Sequence, residues 1–163
     1  TVAEKPSFRH AFRKRRCLIP ASGFYEWAKE EGQKQPYFIR LKNGSPMAFA
    51  GLWEEWTSTK GEIRRTCVIL TIAANSLMQE IHHRMPVILT PSSGAMWLDH
   101  SVGRSSPEKL LRPFSADKME AWRVSPKVSV PAFDNPDCFR KLEKAEASEK
   151  KPEPPEAQAS LFD

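Results

Sequence analysis

Residues 16–27, with the sequence RCLIPASGFYEW, constrain the fold of this chain more than any other stretch. The apolar run CLIP predicts a short buried strand, and the small residues ASG that follow it interrupt that strand. The aromatic segment FYEW predicts a second strand, whose side chains alternate between two faces. Glu26 therefore points to one face of this strand and Trp27 to the other. The stretch predicts a corner between two strands that carries a carboxylate among aromatic side chains.

Glu26 has two interpretations on this pattern alone. A carboxylate among aromatic side chains is a candidate for proton transfer, because a partly desolvated carboxylate can be tuned to give or take a proton near neutral pH. The alternative is a solvated glutamate at the edge of a strand with no chemical role.

The rest of the chain alternates apolar runs with turn residues, a pattern that predicts a sheet with short helices. Asn43-Gly44 is typical of a hairpin turn, so the strands on either side of it are expected to pair antiparallel. Residues 64–74 have an apolar centre and are predicted as one long strand in the middle of the sheet. Further strands are predicted at residues 35–41, 47–53, 87–89 and 124–130, and helices at residues 1–16, 77–81, 91–98, 108–112 and 116–122.

Composition limits the classes of protein to which the chain can belong. Its 163 residues, 40% hydrophobic and 28% charged, suit one soluble domain, and no apolar run approaches the length of a membrane span. The three cysteines have no Cys-x-x-Cys spacing, so we expect no disulfide framework, no metal site and a reducing compartment. Cys17 and Cys67 lie in apolar runs and are predicted to be inert, buried thiols. The net charge of +5 suits a polyanionic partner.

A basic stretch precedes the first strand. Residues 1–16 hold six lysines and arginines and a single anion, Glu4. On a helix these cations form either a solvated face or a stripe that contacts phosphates, each neutralised phosphate adding salt-dependent affinity. The aromatic residues of FYEW follow directly, and basic groups beside stacking rings are typical of proteins that hold single-stranded nucleic acid.

A second candidate side chain, His82, lies at a predicted corner between a helix and a turn. Ser76 and Gln79 match a capping box that starts this helix, and Pro86 disfavours helical geometry in the residue before it. Catalytic groups often lie on loops held by rigid elements, whereas most single histidines are polar surface residues. His82 and His83 are adjacent, so only one of them can point into a given pocket.

From about residue 143 the composition shifts to Lys, Glu, Ala, Ser and Pro without an apolar face. This predicts a domain over residues 1–142 and a disordered tail over residues 143–163. The last six residues, QASLFD, resemble the peptide with which bacterial proteins bind the sliding clamp. That resemblance implies clamp contacts by Gln158, Leu161 and Phe162.

Five sequence blocks, taken in order, resemble one family. They are RCLIPASGFYEW, KQPYFIR, AGLWEEW, TIAANSLMQEIHHRMPVIL and VSPKVS, and they are spread over residues 1–142. Together they are similar to the SOS-response-associated peptidase (SRAP) family, whose proteins bind abasic sites in single-stranded DNA and crosslink to them. The resemblance implies an α+β fold with a mainly antiparallel, barrel-like sheet and short flanking helices.

The resemblance also implies roles for particular residues of this chain. Glu26 matches the family's catalytic glutamate, which shuttles protons during imine formation and crosslink reversal, and His82 matches the histidine that assists opening of the sugar ring. Thr71, Arg84 and Trp27 match DNA-binding positions, with Trp27 beside the gap left by the missing base. No metal and no cofactor are implied. The implied setting is a monomer in the cytoplasm, associated with the nucleoid.

The chain departs from the family at its start. The family's nucleophile is an N-terminal cysteine whose amine and thiol close a thiazolidine on the sugar aldehyde, but this sequence begins with Thr1. The resemblance thus implies that the segment with the catalytic cysteine is missing and that this chain alone does not crosslink. Two alternatives stay open, namely a cysteine-type peptidase that acts on its own N-terminus and a non-enzymatic module that binds single-stranded DNA.

Overall fold

The structure is a computed structural model that describes residues 2–101 and 106–143. Within those residues the strands are β1 (Arg16–Ala21), β2 (Phe24–Glu30), β3 (Gln33–Leu41), β4 (Met47–Thr57), β5 (Ile63–Ile69), β6 (Thr71–Ala73), β7 (Arg84–Pro86), β8 (Ile88–Leu89) and β9 (Met119–Arg123). The α-helices are α1 (Pro6–Lys14), α2 (Ser76–Gln79) and α3 (Pro91–Leu98). Short 3-10 helices cover Pro107–Leu110, Ala116–Lys118, Pro126–Ser129 and Pro136–Phe139.

Antiparallel pairing joins these strands into three sheets, which confirms an α+β fold with mainly antiparallel strands. β4 is central in the first sheet, with β1 along one edge and β8 and β5 along the other. β3 is central in the second sheet, between β2 and β9, and β6 pairs with β7 in the third. Over the described residues the sheets do not close into the barrel-like sheet that the resemblance implies.

At two single residues, Leu70 and Val87, the chain passes between the first sheet and the third sheet. Leu70 links β5 to β6, and Val87 links β7 to β8. Three backbone hydrogen bonds, each of 2.9 Å, join these two residues to Ala50. The N–H of Leu70 donates to the carbonyl O of Ala50, the N–H of Ala50 donates to the carbonyl O of Val87, and the N–H of Val87 donates to the carbonyl O of Leu70. All three residues are buried. This closed triangle fixes the end of β7 and the turn that precedes it, which carries His82.

Two apolar clusters fill the interior. One packs α1 and α3 against β4, and the other packs α2 against β3, β4 and β9. The indole N–H of Trp97, at the centre of the first cluster, donates to the carbonyl O of Cys17 (2.9 Å) and so attaches α3 to β1. In the described part of the chain, no helix is long and apolar enough to cross a membrane.

Residues 64–74 do not form the single central strand that was predicted. They divide between β5 and β6, and β5 lies at an edge of its sheet, paired with β4 alone among the described strands. Every residue of β5 is exposed, including Cys67, so the prediction of a buried Cys67 thiol is wrong. An apolar run could not show this, because the covering of a strand depends on neighbours that are distant in sequence.

The N-terminal helix is shorter than predicted, and Arg16 lies beyond it in β1 with only 7% exposure. Its guanidinium donates to the carbonyl O of Phe12 in α1 and to those of Trp97 and Asp99 at the end of α3. Burial lowers the pKa of Arg16, an effect that the Asp99 carboxylate opposes. Arg16 therefore ties α1 to α3 and is not part of a phosphate-binding stripe.

The caps of the other two α-helices agree only in part with the prediction. Thr90 caps α3 and forms a capping box with Ser93, and Pro91 is the first residue of the helix, in agreement with its predicted start. Asn75, not Ser76, caps α2, because its Oδ1 accepts from the backbone N–H of Met78 at 2.9 Å. Both helices begin within a residue or two of the predicted positions.

The C-terminal elements differ more. Residues 119–123 form β9 instead of a helix, because they pair with β3 along its free edge. Residues 126–129 form a 3-10 helix instead of a strand, and residues 107–110 form another in place of the predicted α-helix. Pro107 predicted a helix start but not the type of helix, whereas Pro126 lies in a segment that was predicted as a strand.

Candidate active site

Two distant parts of the sequence meet at the edge of the second sheet. Glu26 lies in β2, and His82 lies in the turn between α2 and β7. Glu26 Oε2 is 3.8 Å from His82 Nδ1. Their side chains are 27% and 35% exposed, so both reach solvent while protein shields most of each. The structure thus brings together the two residues for which the resemblance implies catalytic roles.

Backbone groups on both sides hold the His82 ring. The backbone N–H of His82 donates to the carbonyl O of Met78 in α2 (2.7 Å), and the ring Nδ1 accepts from the backbone N–H of Arg84 (3.2 Å). The carbonyl O of Arg84 also lies 3.2 Å from Nδ1, so a ring that carries a proton there has an acceptor. Both protonation states of Nδ1 therefore find a backbone partner. The exposed His83 ring packs beside it, with centroids 4.3 Å apart.

Glu26 has one oxygen held by the backbone and one oxygen that faces His82. Oε1 accepts from the backbone N–H of Trp27 at 3.3 Å. Across the sheet, the register places Tyr37 of β3 opposite Glu26, and its hydroxyl donates to Glu30 Oε1 at 2.7 Å. Burial, and after it this hydrogen bond, raises the pKa of Tyr37. Tyr37, the cross-strand partner of Glu26, is thus neutral at physiological pH, and its hydroxyl is engaged by Glu30.

Arg84 and Thr71 form a second pair next to the histidine turn. Arg84 begins β7 and Thr71 begins β6, and the two strands pair with each other. The Arg84 guanidinium donates to Thr71 Oγ1 through Nε (3.0 Å) and Nη2 (2.8 Å), and Nη2 also donates to the Thr71 carbonyl O (2.6 Å). Both residues are exposed. Thr71 therefore holds one edge of the fork, through Nε and Nη2.

An open cleft of about 670 Å³ lies beside Glu26 and His82. It is lined by Glu26, Trp27, Lys34, His82, Val128 and Ser129. A carboxylate, an imidazole, an ammonium and an indole thus converge on a space large enough for part of a nucleotide. Among the described residues, no group of three or more His, Cys, Asp or Glu side chains could hold a metal ion.

Sequence reasoning found three of these lining residues and missed the other three. Lys34 and the pair Val128 and Ser129 belong to the blocks KQPYFIR and VSPKVS, which were noticed only as parts of the family resemblance. Lys34 was available as a cation on a strand next to FYEW. Ser129 offered no signal, because its contact with the cleft depends on how the segment after β9 folds back.

Some predicted features lie outside the described residues. Thr1 and the proposed clamp-binding residues Gln158, Leu161 and Phe162 are among them, as is nearly all of the predicted tail. Their roles stay predictions.

Comparison with known proteins identifies the family. The family model described as SOS response associated peptidase (SRAP) matches residues 1–131. The chain therefore belongs to the SRAP family. The match starts at residue 1 and does not test whether a segment with the catalytic cysteine is missing from this chain, so that expectation stays a prediction.

Individual relatives agree with this assignment. The chain is 43% identical over 141 residues to the abasic site processing protein YoqW of Bacillus subtilis, covering 85% of this chain and 63% of that protein. It is 32% identical over 165 residues to the abasic site processing protein HMCES of Gallus gallus, covering 88% of this chain and 48% of that protein. A crystal structure of a protein from Bacteroides thetaiotaomicron superposes with a TM-score of 0.82 at 34% identity, covering 88% of this chain and 63% of that one. The chain thus spans about half to three fifths of the length of these relatives.

Proposed function

We propose that this chain processes abasic sites in single-stranded DNA as part of the response to DNA damage, with Glu26 and His82 as its proton-transfer pair. The proposal is supported by one observation above all, the 3.8 Å separation of these side chains at an open cleft. The similarity to proteins named for abasic site processing supports the choice of substrate.

The proposed chemistry uses both groups. An abasic deoxyribose must open to its aldehyde, and His82 assists by giving a proton to the ring oxygen as the C–O bond breaks. An amine that attacks the aldehyde must lose a proton, while the carbonyl oxygen gains protons and leaves as water, and Glu26 carries these protons. If the amine and thiol of an N-terminal cysteine react together, a C–N and a C–S bond form, one water leaves and a thiazolidine crosslink results.

The neighbouring residues are proposed to hold the DNA. The planar fork of Arg84 matches the geometry of a phosphate, and Thr71 holds that fork in place. Trp27 lines the cleft and offers an aromatic surface where a base is missing, and stacking of this kind contributes roughly 1–3 kcal/mol per base. Lys34 adds a positive charge to the same cleft.

The test joins to this chain an N-terminal segment that begins with the cysteine implied by the family resemblance. Crosslinking to an abasic single-stranded oligonucleotide is followed on denaturing gels. Glu26→Gln and His82→Ala are expected to slow crosslinking by about 10²- to 10⁴-fold, the usual contribution of general acid–base catalysis. Binding to intact single strands should stay nearly unchanged.

Matched controls separate chemistry from loss of charge. Glu31→Gln and His100→Ala alter the same residue types at exposed positions that do not line the cleft and should crosslink at the unmodified rate. If Glu26→Gln and His82→Ala crosslink and release as fast as these controls, the assigned roles are wrong. A stable adduct formed by residues 1–163 alone would contradict the need for the added cysteine.

A second candidate function is a non-enzymatic module that binds single-stranded DNA. It is favoured by the exposed cations of α1, Arg9 and Arg13, which do not line the cleft. This function predicts equal binding of intact and abasic strands, and no dependence on His82.

The C-terminal residues carry a separate proposal. We infer from the QASLF pattern that Gln158, Leu161 and Phe162 bind the bacterial sliding clamp. A peptide of residues 156–163 should bind the clamp with micromolar affinity, and a peptide with Leu161→Ala and Phe162→Ala should not. Equal signals from the two peptides would contradict the proposal.

A further inference from the structure

We propose that Ser129 is a positioning residue, which sets the orientation of the Trp27 indole in the cleft and thereby its preference for a strand that lacks a base. The inference rests on the proposed function of the cleft. Trp27 Nε1–H donates to Ser129 Oγ at 3.2 Å, and both residues line the cleft. An indole has only this one donor, so its partner determines how the ring lies.

The backbone that carries Trp27 and the segment that carries Ser129 are attached to the same buried residue. Trp27 pairs with Pro36 across β2 and β3. The carbonyl O of Pro36 accepts from the backbone N–H of Val124 at 3.1 Å, at the end of β9. Gln35 Nε2 donates both to this oxygen (2.8 Å) and to the carbonyl O of Val124 (3.0 Å). Pro36 and Val124 are fully buried, so both attachments start from a rigid point.

The segment between Val124 and Ser129 is short and internally bonded. Ser125 Oγ accepts from the backbone N–H of Lys127 at 3.3 Å, and its carbonyl O accepts from that of Val128 at 3.1 Å. The 3-10 helix Pro126–Ser129 thus carries the Ser129 hydroxyl over the edge of β2. A closed path of pairing and hydrogen bonds then runs from Trp27 through Pro36 and Val124 to Ser129, and back to the indole.

This closed path has a consequence for selectivity. A ring that can rotate would move aside for a normal base and would tolerate an intact strand. A ring held by Ser129 keeps its place, so an intact base competes with it for the same space, whereas an abasic sugar leaves that space free. Loss of the hydroxyl should therefore reduce discrimination without abolishing binding.

The test compares the binding of the full chain to two fluorescent single strands, one intact and one with a tetrahydrofuran abasic analogue, which cannot be crosslinked. Ser129→Ala should reduce the preference for the abasic strand by about 3- to 10-fold, the range expected for one hydrogen bond. Ser129→Thr keeps the hydroxyl at an exposed position and should retain the preference. Ser106→Ala, which removes a hydroxyl bonded to Glu108, is the matched control.

A second readout follows the indole itself. The ¹H–¹⁵N signal of Trp27 Nε1–H, assigned by its loss in Trp27→Phe, should exchange faster with water in Ser129→Ala and normally in Ser129→Thr. An unchanged signal together with an unchanged preference would overturn the inference. An equal loss of affinity for both strands would also overturn it, because that result indicates a structural role. If the unmodified chain shows no preference for the abasic strand, the proposed function of the cleft fails, and the inference fails with it.

Discussion

Glu26 and His82 are too far apart for a direct hydrogen bond, and this separation suits a site that receives a substrate. At 3.8 Å the two groups do not form a strong ion pair, and a sugar hydroxyl or a water molecule can be placed to contact both. Each group also keeps a backbone partner, since Trp27 N–H binds Glu26 and Arg84 N–H binds His82. At the scale of single residues, the backbone thus holds both side chains while the space between them stays open to a substrate.

The pair formed by Arg84 and Thr71 yields a prediction on binding. Arg84→Lys keeps the charge but loses the fork that makes three hydrogen bonds to Thr71, so the cation is no longer held. We expect single-stranded DNA to bind about 3- to 10-fold more weakly, as measured by fluorescence anisotropy. Arg64→Lys, at an exposed position in β5, is the control and should bind normally. Equal affinities of the two variants would show that the fork does not matter.

The cysteines give a second prediction at this scale. Burial, and after it the neighbouring Cys67, raises the pKa of Cys17, so less of its reactive thiolate is present near pH 8. Cys67 is exposed on β5. Iodoacetamide should therefore modify Cys67 well before Cys17, and the rate at Cys17 should keep rising to higher pH. Peptide mass spectrometry of timed samples measures both rates, and faster labelling of Cys17 would contradict the assigned environments.

At the scale of elements, the corner between β1 and β2 positions Glu26. Gly23 forms this corner, and it packs directly on β3. A Cβ atom there would lie 2.4 Å from Cζ of Phe38 and 2.6 Å from the carbonyl O of Ile39. Only glycine therefore allows β2 to lie against β3 in the register that places Glu26 opposite Tyr37.

Gly23→Ala is accordingly expected to destabilise the fold strongly. One of its clashes is with backbone, which cannot move aside, so the loss should reach or exceed the roughly 1–3 kcal/mol typical of overpacking. In Gly51→Ala, the clashes at 2.8 and 2.9 Å are with the side chains of Ile19 and Cys17, which can shift, so the loss should be smaller. Urea unfolding measures both.

Gly94→Ala serves as the control for these two variants. Gly94 lies within α3, and a Cβ there would meet the Leu18 side chain at an ordinary 3.4 Å. Since alanine favours a helix over glycine by about 0.5–1 kcal/mol, this variant should be unchanged or more stable. A loss of stability at Gly94 as large as that at Gly23 would contradict the packing argument.

At the scale of the whole molecule, exposed cations that could contact DNA lie on at least two separate regions. The net charge is +5, and one region is the cleft with Lys34. Another is α1, which packs on β1 and β4, two strands that contribute no residue to the cleft. On α1 the cations Arg9, Arg13 and Lys14 are exposed, whereas of the two arginines that follow the helix Arg15 pairs with Glu54 and Arg16 is buried.

The salt dependence of DNA binding tests whether α1 takes part. Each phosphate that a protein neutralises on a single strand adds about −0.7 to the slope of log K against log salt. If both arginines contact phosphates, Arg9→Ala/Arg13→Ala should make the slope less negative by about 1.4. Lys60→Ala/Arg64→Ala removes the same charge from exposed positions in β5 and the turn before it, and should leave the slope nearly unaltered. Equal shifts in the two variants would indicate a general effect of net charge.

Local sequence was a good guide where local interactions decide the structure. The two strands within residues 16–27 and the Thr90 cap of α3 are each set by residues a few positions apart. It failed for β9, which the pattern predicted as helix, and for β5, whose apolar run predicted a central strand. β9 pairs with β3, a distant strand, and this pairing outweighed local preference, whereas β5 pairs only with the preceding β4 and has no second described strand beside it. The antiparallel hairpin predicted at Asn43-Gly44 is also wrong, because β3 and β4, the strands on either side of this turn, lie in different sheets.

The same division applies to the candidate site. The sequence by itself determined the family of the chain and the identity of the residues proposed for its chemistry, because its motifs are short and continuous. Only the tertiary structure decided that Glu26 and His82 lie 3.8 Å apart, and that Lys34 and Ser129 share their cleft. Such distances depend on where β2, the histidine turn and the segment after β9 come together, which packing and backbone hydrogen bonds fix over the whole molecule.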